Sequence, residues 1–240
     1  MQVYAAGFDR SARRPQVGLL IAGIGLNQTD SEAAIRSLPG GVTLAVSPYA
    51  ANPAKLLALA RMAEHEYLLS IPMEPQGYPL NDPGPQALMA NLAPDQNHTR
   101  LEWALSRIAG YAGATGALGS MRGERFASLA DQMKPVVTEL AERGLLYVDP
   151  RPGSAPSPAV WSRTVNIVID EPATAPDIDD KLARLTKLAR EQGSALGLAT
   201  VVRPVTTDRI AVWANGLVAD GLALAPVSAL VQPPATKPPP

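Results

Sequence analysis

The sequence lacks cysteine, has little histidine and few aromatic residues, and carries no excess charge of either sign. With 240 residues and Cys 0, it excludes disulfides, thiolate nucleophiles and cysteine-ligated zinc. His 2 is too few for a histidine-rich metal site. Lys and Arg number 21 against 22 Asp and Glu, for a net charge of -1. Because neutralisation of phosphates drives nucleic-acid binding, this balance argues against a nucleic-acid partner.

Long hydrophobic runs are also missing. The longest, at residues 17–26, is about half of the roughly 20 residues that span a bilayer. We therefore expect no membrane span in this chain. The first residues show no signal-peptide pattern, so any targeting segment is expected upstream of the given sequence.

Short apolar runs rich in β-formers alternate along the chain with segments of helical periodicity. The predicted strands are 17–24, 42–46, 67–71, 115–118, 145–148, 165–169, 195–201 and 222–227. The predicted helices are 31–38, 53–63, 95–109, 127–143, 177–192 and 207–220, with Gly144 and Gly193 as stops. The alternation predicts an α/β fold, a closed or nearly closed (β/α) barrel of about seven or eight mainly parallel strands. An open doubly wound sheet is the alternative.

The predicted domain covers residues 15–231, between a basic N-terminal extension at 1–14 and a Pro-rich tail at 232–240. Two connections are unusually long, 72–94 after the third strand and 149–163 after the fifth. Ligands bind in such folds where strands end and loops begin. These two loops therefore mark the expected site.

Several short sequence motifs in these regions resemble those of one known family. They are Leu-Leu-Ser-Ile-Pro-Met-Glu-Pro at 68–75, Gly-Leu-Leu-Tyr-Val-Asp at 144–149 and Ala-Pro-Val-Ser-Ala-Leu at 225–230. From about residue 16 to residue 230 the chain resembles the divergent polysaccharide deacetylase family of bacterial cell-envelope proteins. The resemblance implies a deformed (β/α) barrel, a closing strand at 225–230 and a periplasmic or cell-envelope location. It also implies carbohydrate deacetylation by a divalent metal that an aspartate and two histidines hold.

The residues expected to bind that metal are replaced. Where the family's first strand ends in Ile-Asp-Asp-Leu-Gly, this chain has Ile-Ala-Gly-Ile-Gly at 21–25. One expected histidine falls at or beside Ser120, and the late histidine motif corresponds to 198–204, which includes Val201. These side chains offer at most a weak hydroxyl, so we expect no metal in the usual place. Gly23-Ile24-Gly25 is too short for a dinucleotide fingerprint, and no cofactor is predicted.

The two histidines are expected elsewhere. His65 precedes the third strand, on the face away from the expected site, where a solvated residue is predicted. His98 lies in the first turn of a helix and is predicted to be a surface residue.

Glu74 and Asp149 follow strand ends, and each lies in one of the motifs that resemble the family. They are the predicted catalytic residues. Two carboxylates can divide general acid and base work when their environments separate their pKa values. Alternatively, Asp149 forms an ion pair with Arg151 or Arg122, and Glu74 caps loop backbone. The predicted ligand-binding residues are Ser120, Arg122, Arg151, Tyr49 and Trp161.

Three functions stay open on the sequence. The favoured one is a family member with a decayed metal site that binds a glycan or a cell-envelope protein. A second is an active carbohydrate deacetylase or hydrolase that uses a relocated metal, or Glu74 and Asp149 alone. The third is a scaffold for envelope enzymes.

Overall fold

The structure, a computed structural model, describes residues 14–235. Residues 1–13 and 236–240, which include most of the predicted extension and part of the predicted tail, lie outside the described residues. The strands are β1 Gln16–Ile24, β2 Thr43–Val46, β3 Tyr67–Ser70, β4 Gly113–Thr115, β5 Leu146–Asp149, β6 Ser162–Thr164, β7 Ile167–Val168, β8 Ser194–Ala199 and β9 Ala223–Leu224. The helices are α1 Gln28–Ser37, α2 Pro53–Met62, α3 Pro94–Ser106, α4 Glu124–Ala127, α5 Ala130–Glu142, α6 Ala175–Gln192, α7 Pro204–Gly216 and α8 Val227–Leu230.

The strands form one curled sheet in the order β6-β5-β4-β3-β2-β1-β8-β7, with β9 beside β1. Every pairing between these strands is parallel. The predicted barrel-like α/β fold is confirmed. The structure has one strand more than the eight predicted runs, because two short strands, β6 and β7, replace the predicted strand at 165–169.

Residues 162–169, which we call the seam segment, join the two ends of the sheet. Its first half pairs with β5, where Asp149 lies opposite Thr164 and accepts a backbone hydrogen bond from Val165 at 3.0 Å. The next residue, Asn166, donates its backbone N–H to Leu196 of β8 at 2.8 Å. The chain thus leaves β5 and joins β8 within two residues, which curls the sheet into its barrel-like form.

The core has two parts because successive side chains of β1 point to opposite faces of the sheet. Leu19 and Ile21 pack in the cluster that also contains the buried helix residues, whereas Leu20 and Ala22 pack in a second cluster. The second cluster consists of residues from neighbouring strands, such as Leu68 of β3, together with α8. A two-residue period along a strand produces this division into an outer and an inner layer.

The end of the described chain differs from the prediction. Only Ala223–Leu224 pairs as a strand, and residues 227–230 form the short helix α8 instead of a closing strand. Pro226 is the N-cap of α8; proline lacks the N–H that a continued strand would need. The buried Glu66 carboxylate accepts a hydrogen bond from the backbone N–H of Ser228 at 3.0 Å, which holds the start of α8 against the barrel.

Candidate functional site

Three chain segments meet at the carboxyl end of β1. They are the end of β1 at Gly23, the turn between Leu118 and Met121, and the end of β8 at Thr200. A Cβ atom built on Gly23 would lie 3.6 Å from the Thr200 carbonyl oxygen and 3.7 Å from Gly119 Cα. The fold therefore brings together the three regions in which the resemblance implies metal ligands.

These converging segments do not offer the donors that the metal needs. Ala22 and Gly23 have no polar side chain, and Val201 is aliphatic. Ser120 is exposed and offers a hydroxyl alone. Leu26 reaches toward the same place, with its Cδ1 atom 3.7 Å from the Cβ position at Gly23. Because divalent metals are held by converging carboxylate or imidazole groups, the residues present do not fit the family's metal centre.

Asp170, which sequence reasoning missed, holds this end of β8 in place. Both of its carboxylate oxygens lie 2.9 Å from the backbone nitrogen of Thr200, and the N–H of Val201 donates to Oδ2 at 3.1 Å. Arg203 lies 3.7 Å from Oδ2. Asp170 directly follows the predicted strand 165–169, so the rule that selected Asp149 at a strand end would have selected it too.

Glu74 is 3% exposed and fully occupied by neighbours. Arg125 forms an ion pair with its Oε1 at 3.0 Å, and the backbone N–H of Ala90 donates to its Oε2 at 2.6 Å. Its own backbone carbonyl accepts a hydrogen bond from Phe126 at 3.1 Å. Glu74 thus ties the long loop after β3 to the start of α4.

Asp149, at the end of β5, is clamped by Arg151. The guanidinium donates from Nε at 2.9 Å and from Nη2 at 2.6 Å, and the Arg151 backbone N–H adds a bond to Oδ1 at 3.0 Å. The hydrogen bonds from Arg151 to this carboxylate raise the pKa of Arg151 above its usual value. Of the two predicted arginine partners, the structure shows Arg151 in this position.

We call the carboxyl ends of β1, β3, β5 and β8, with the residues that directly follow them, the rim. Arg122 follows the turn between Leu118 and Met121 on this rim. It forms ion pairs with Glu124 at 3.3 Å and with Glu171 at 2.7 Å. The negative charge of Glu124 also contributes to the raised pKa of Arg151, so the two arginines share one acidic neighbour. Arg122 and Arg151 therefore come together as predicted ligand-binding residues, each with an acidic partner within the chain.

The two aromatic residues predicted to bind a ligand, Tyr49 and Trp161, lie in different parts of the fold. The ring centroid of Tyr49 is 5.3 Å from that of Trp103, and the Tyr49 hydroxyl accepts a hydrogen bond from the Gln86 backbone at 3.2 Å. Burial raises the pKa of the Tyr49 phenol. Trp161, just before β6, is 38% exposed. Tyr49 thus anchors the long loop after β3, and Trp161 offers the freer ring face.

The two histidines lie outside the strand-end site. His65 is 5% exposed, and its ring nitrogens lie 2.8 Å from the Val42 carbonyl and 3.0 Å from the Ile35 carbonyl. The prediction of a solvated His65 was wrong, because the ring joins the loop before β2 to the end of α1. His98 is exposed, as predicted.

His98 lies on α3 beside two acidic residues. One ligand atom from each of His98, Glu102 and Glu139 falls within 4.8 Å of the others. Arg143 already contacts both carboxylates, at 2.5 Å for Glu102 and 2.6 Å for Glu139. Among the described residues this is the one group with metal-ligand spacing, and Arg143 already binds both of its carboxylates and offsets one of their two negative charges.

No helix within residues 14–235 is long and apolar enough to cross a membrane.

Comparisons with known proteins agree with the fold and identify the family. The sequence profile of the divergent polysaccharide deacetylases matches residues 19–231. An uncharacterized protein from Agrobacterium tumefaciens C58 has a similar structure, with a TM-score of 0.89 and 32% identity over 96% of this chain and 94% of that one. The catalytic domain of a peptidoglycan N-acetylglucosamine deacetylase from Eubacterium rectale ATCC 33656 shares the fold, with a TM-score of 0.56 and 10% identity over 95% and 94% of the two chains. A search of curated proteins found no significant match. The chain belongs to the divergent polysaccharide deacetylase family.

Proposed function

We propose that this protein is a family member without the family's metal centre, and that it binds a cell-envelope glycan at the rim of strand ends. The observation that carries the proposal is the meeting of Gly23, Gly119 and Thr200. The backbone of these segments converges there, but Ala22, Gly23 and Val201 offer no metal donor and Ser120 offers only a hydroxyl. The nearby Asp170 carboxylate is already bound by the backbone of Thr200 and Val201. We place the protein in the periplasm or cell envelope, as the family resemblance implies.

The carboxylates of Glu74 and Asp149 are already bound by other groups of the chain, which supports ligand binding rather than hydrolysis as the function. A general base needs a carboxylate that can accept a proton from substrate or water. The oxygens of Glu74 bind Arg125 and the Ala90 backbone, and those of Asp149 bind Arg151. Catalysis by either group would first require breaking a buried or half-buried ion pair.

The arginines of the rim favour a glycan that carries carboxylates. Arg122 and Arg151 keep 21% and 23% of their side chains exposed, enough for a ligand to reach their outer edges. Trp161, the other exposed candidate, lies at the amino end of β6 beside the start of β5 and therefore not on the rim. Since the fold is shared with a peptidoglycan deacetylase, peptidoglycan is the first glycan to test.

The test is calorimetric titration of the full chain with soluble peptidoglycan fragments, with chitotetraose as the uncharged comparison. We expect the fragments to bind, and Arg122→Gln and Arg151→Gln to weaken binding by at least about fivefold. Lys187→Gln is the matched control, because Lys187 is an exposed cation on α6. Absence of binding, or equal affinity in the rim variants, would overturn the proposal.

The enzymatic alternative is tested on the same samples. Acetate release from acetylated fragments should equal that of a protein-free blank, before and after addition of zinc. Release that disappears in Glu74→Gln would replace the proposal with metal-free hydrolysis. Zinc-dependent release that disappears in His98→Ala would replace it with a relocated metal.

A further inference from the structure

One cavity lies beside the seam segment. Its volume is about 320 Å³, it opens to solvent, and it is lined by the loop after β5, the seam segment, the end of α6 and Gln232. Thr164, on its wall, lies opposite Asp149 at the carboxyl end of β5, whereas Gln192 precedes β8. The cavity therefore extends from the carboxyl end of β5 to the amino end of β8.

Arg163, on the wall of this cavity, lacks a counter-charge. Its Nη2 donates to the Asn166 side-chain oxygen and to the Ser194 carbonyl, both at 3.2 Å and both uncharged. Its Nε is buried and has no hydrogen-bond partner among residues 14–235. No Asp or Glu in that described range pairs with it, unlike Arg122, Arg125 and Arg151 on the rim.

The surroundings of Arg163 make this charge costly. Burial lowers the pKa of Arg163 below its usual value, with desolvation as the cause. The guanidinium still keeps its proton, because arginine does not deprotonate in proteins. Arg163 is partly exposed, and a partly buried charge without a counter-charge is less stable than a paired one. An anion bound at the exposed part of the guanidinium would supply the counter-charge.

The rest of the wall indicates which anion fits. Within residues 14–235 no acidic residue lines the cavity, whereas Ser154, Gln192 and Gln232 contribute hydroxyl and amide groups. The Thr164 hydroxyl, also on the wall, is buried without a hydrogen-bond partner among the described residues. One cation matches a monoanion, and a planar carboxylate matches the donor geometry of a guanidinium. The polar wall suits a ligand that carries hydroxyl groups beside its carboxylate.

We propose that the seam cavity binds a small hydroxylated carboxylate of the sugar-acid class, with its carboxylate on the guanidinium of Arg163. The site adjoins the glycan-binding rim at Asp149, which lies opposite Thr164, but it uses Arg163 rather than Arg122 or Arg151. It uses the segment that joins the two ends of the sheet, so its occupation should also stabilise the fold.

The test measures binding of D-glucuronate to the full chain by calorimetry and by the shift in melting temperature. D-glucose, which lacks the carboxylate, is the comparison ligand. We expect glucuronate to bind and to raise the melting temperature, and glucose to do neither. Arg163→Met should weaken glucuronate binding at least tenfold, and Arg163→Lys, which keeps the charge but not the planar pair of donors, should weaken it severalfold. Arg184→Met, at an exposed arginine of α6, is the control and should bind as the wild type does.

Two further outcomes decide the proposal. Without ligand, Arg163→Met should melt at the same temperature as the wild type or higher, because it removes a partly buried charge that has no counter-charge among the described residues. A large drop in that temperature would show that Arg163 serves folding, and would count against the site. No glucuronate binding up to about 10 mM, equal binding of glucose, or full affinity in both cavity variants would overturn it.

Discussion

At the level of single residues, acidic side chains at strand ends act here as anchors. Asp170 holds the backbone after β8, and Asp149 holds its own loop through Arg151. The sequence placed Glu74 and Asp149 at the rim, but it could not choose between catalysis and pairing. That choice depends on which arginine lies within reach, and a one-dimensional pattern does not contain this distance.

Tyr147 of β5 provides a prediction about a buried hydroxyl. Its hydroxyl group has no hydrogen-bond partner among residues 14–235, and the side chain is 2% exposed. Tyr147→Phe removes the unpaired group without changing the packing. We expect the free energy of unfolding at pH 7 to stay the same or rise by about 1 kcal/mol, measured by urea denaturation. A loss of more than about 1 kcal/mol would contradict the unpaired state.

The same variant should change how stability depends on pH. Burial raises the pKa of Tyr147 above its usual 10.0. Above about pH 10 the unfolded chain therefore loses a proton that the folded chain keeps, so stability falls, by at most about 1.4 kcal/mol per pH unit. Tyr147→Phe should lose less stability than the wild type between pH 9 and pH 11. Tyr78→Phe, at an exposed tyrosine, is the control and should follow the wild-type curve.

At the level of elements, glycines show which helix ends could be predicted from the sequence. Gly144 and Gly193 were predicted as helix stops, and both have positive φ, 67° and 81°. A helix end of this kind follows from local conformation. The short helix α4, which precedes the predicted helix at 127–143, could not be predicted from the sequence, because the α4 region is held by contacts from the distant loop after β3, such as the bond from Phe126 to Glu74.

Three glycine-to-alanine substitutions test whether a loss of stability comes from backbone strain or from a steric clash. In Gly193→Ala the new Cβ meets nothing within 4 Å, so only the positive φ is penalised, by about 1 kcal/mol. In Gly113→Ala the Cβ lies 2.3 Å from the Leu146 carbonyl oxygen of the neighbouring strand, and we expect a loss of about 3 kcal/mol. Gly216→Ala, at the end of α7 and in open space, should be neutral or slightly stabilising. Urea denaturation checks this order, and an equal loss at positions 193 and 113 would contradict it.

At the level of the whole molecule, the seam segment predicts cooperative unfolding. Because residues 162–169 pair with both β5 and β8, loss of either half should release the other. We expect one thermal transition in calorimetry, with equal calorimetric and van't Hoff enthalpies. Two resolved transitions would contradict this and the predicted single domain at 15–231.

The sequence by itself determined the α/β alternation, the helix ends at glycines, the family and the absence of metal donors at the matched positions. These properties depend on residue type, spacing and order, which the chain carries locally. Only the tertiary structure decided that Gly23, Gly119 and Thr200 meet, that His65 is buried, and that Arg163 lines a cavity without an acidic partner in the described part of the chain. These depend on strand register and on distances between residues far apart in the sequence, because a side chain's partner and its exposure to water are set by the packed neighbours.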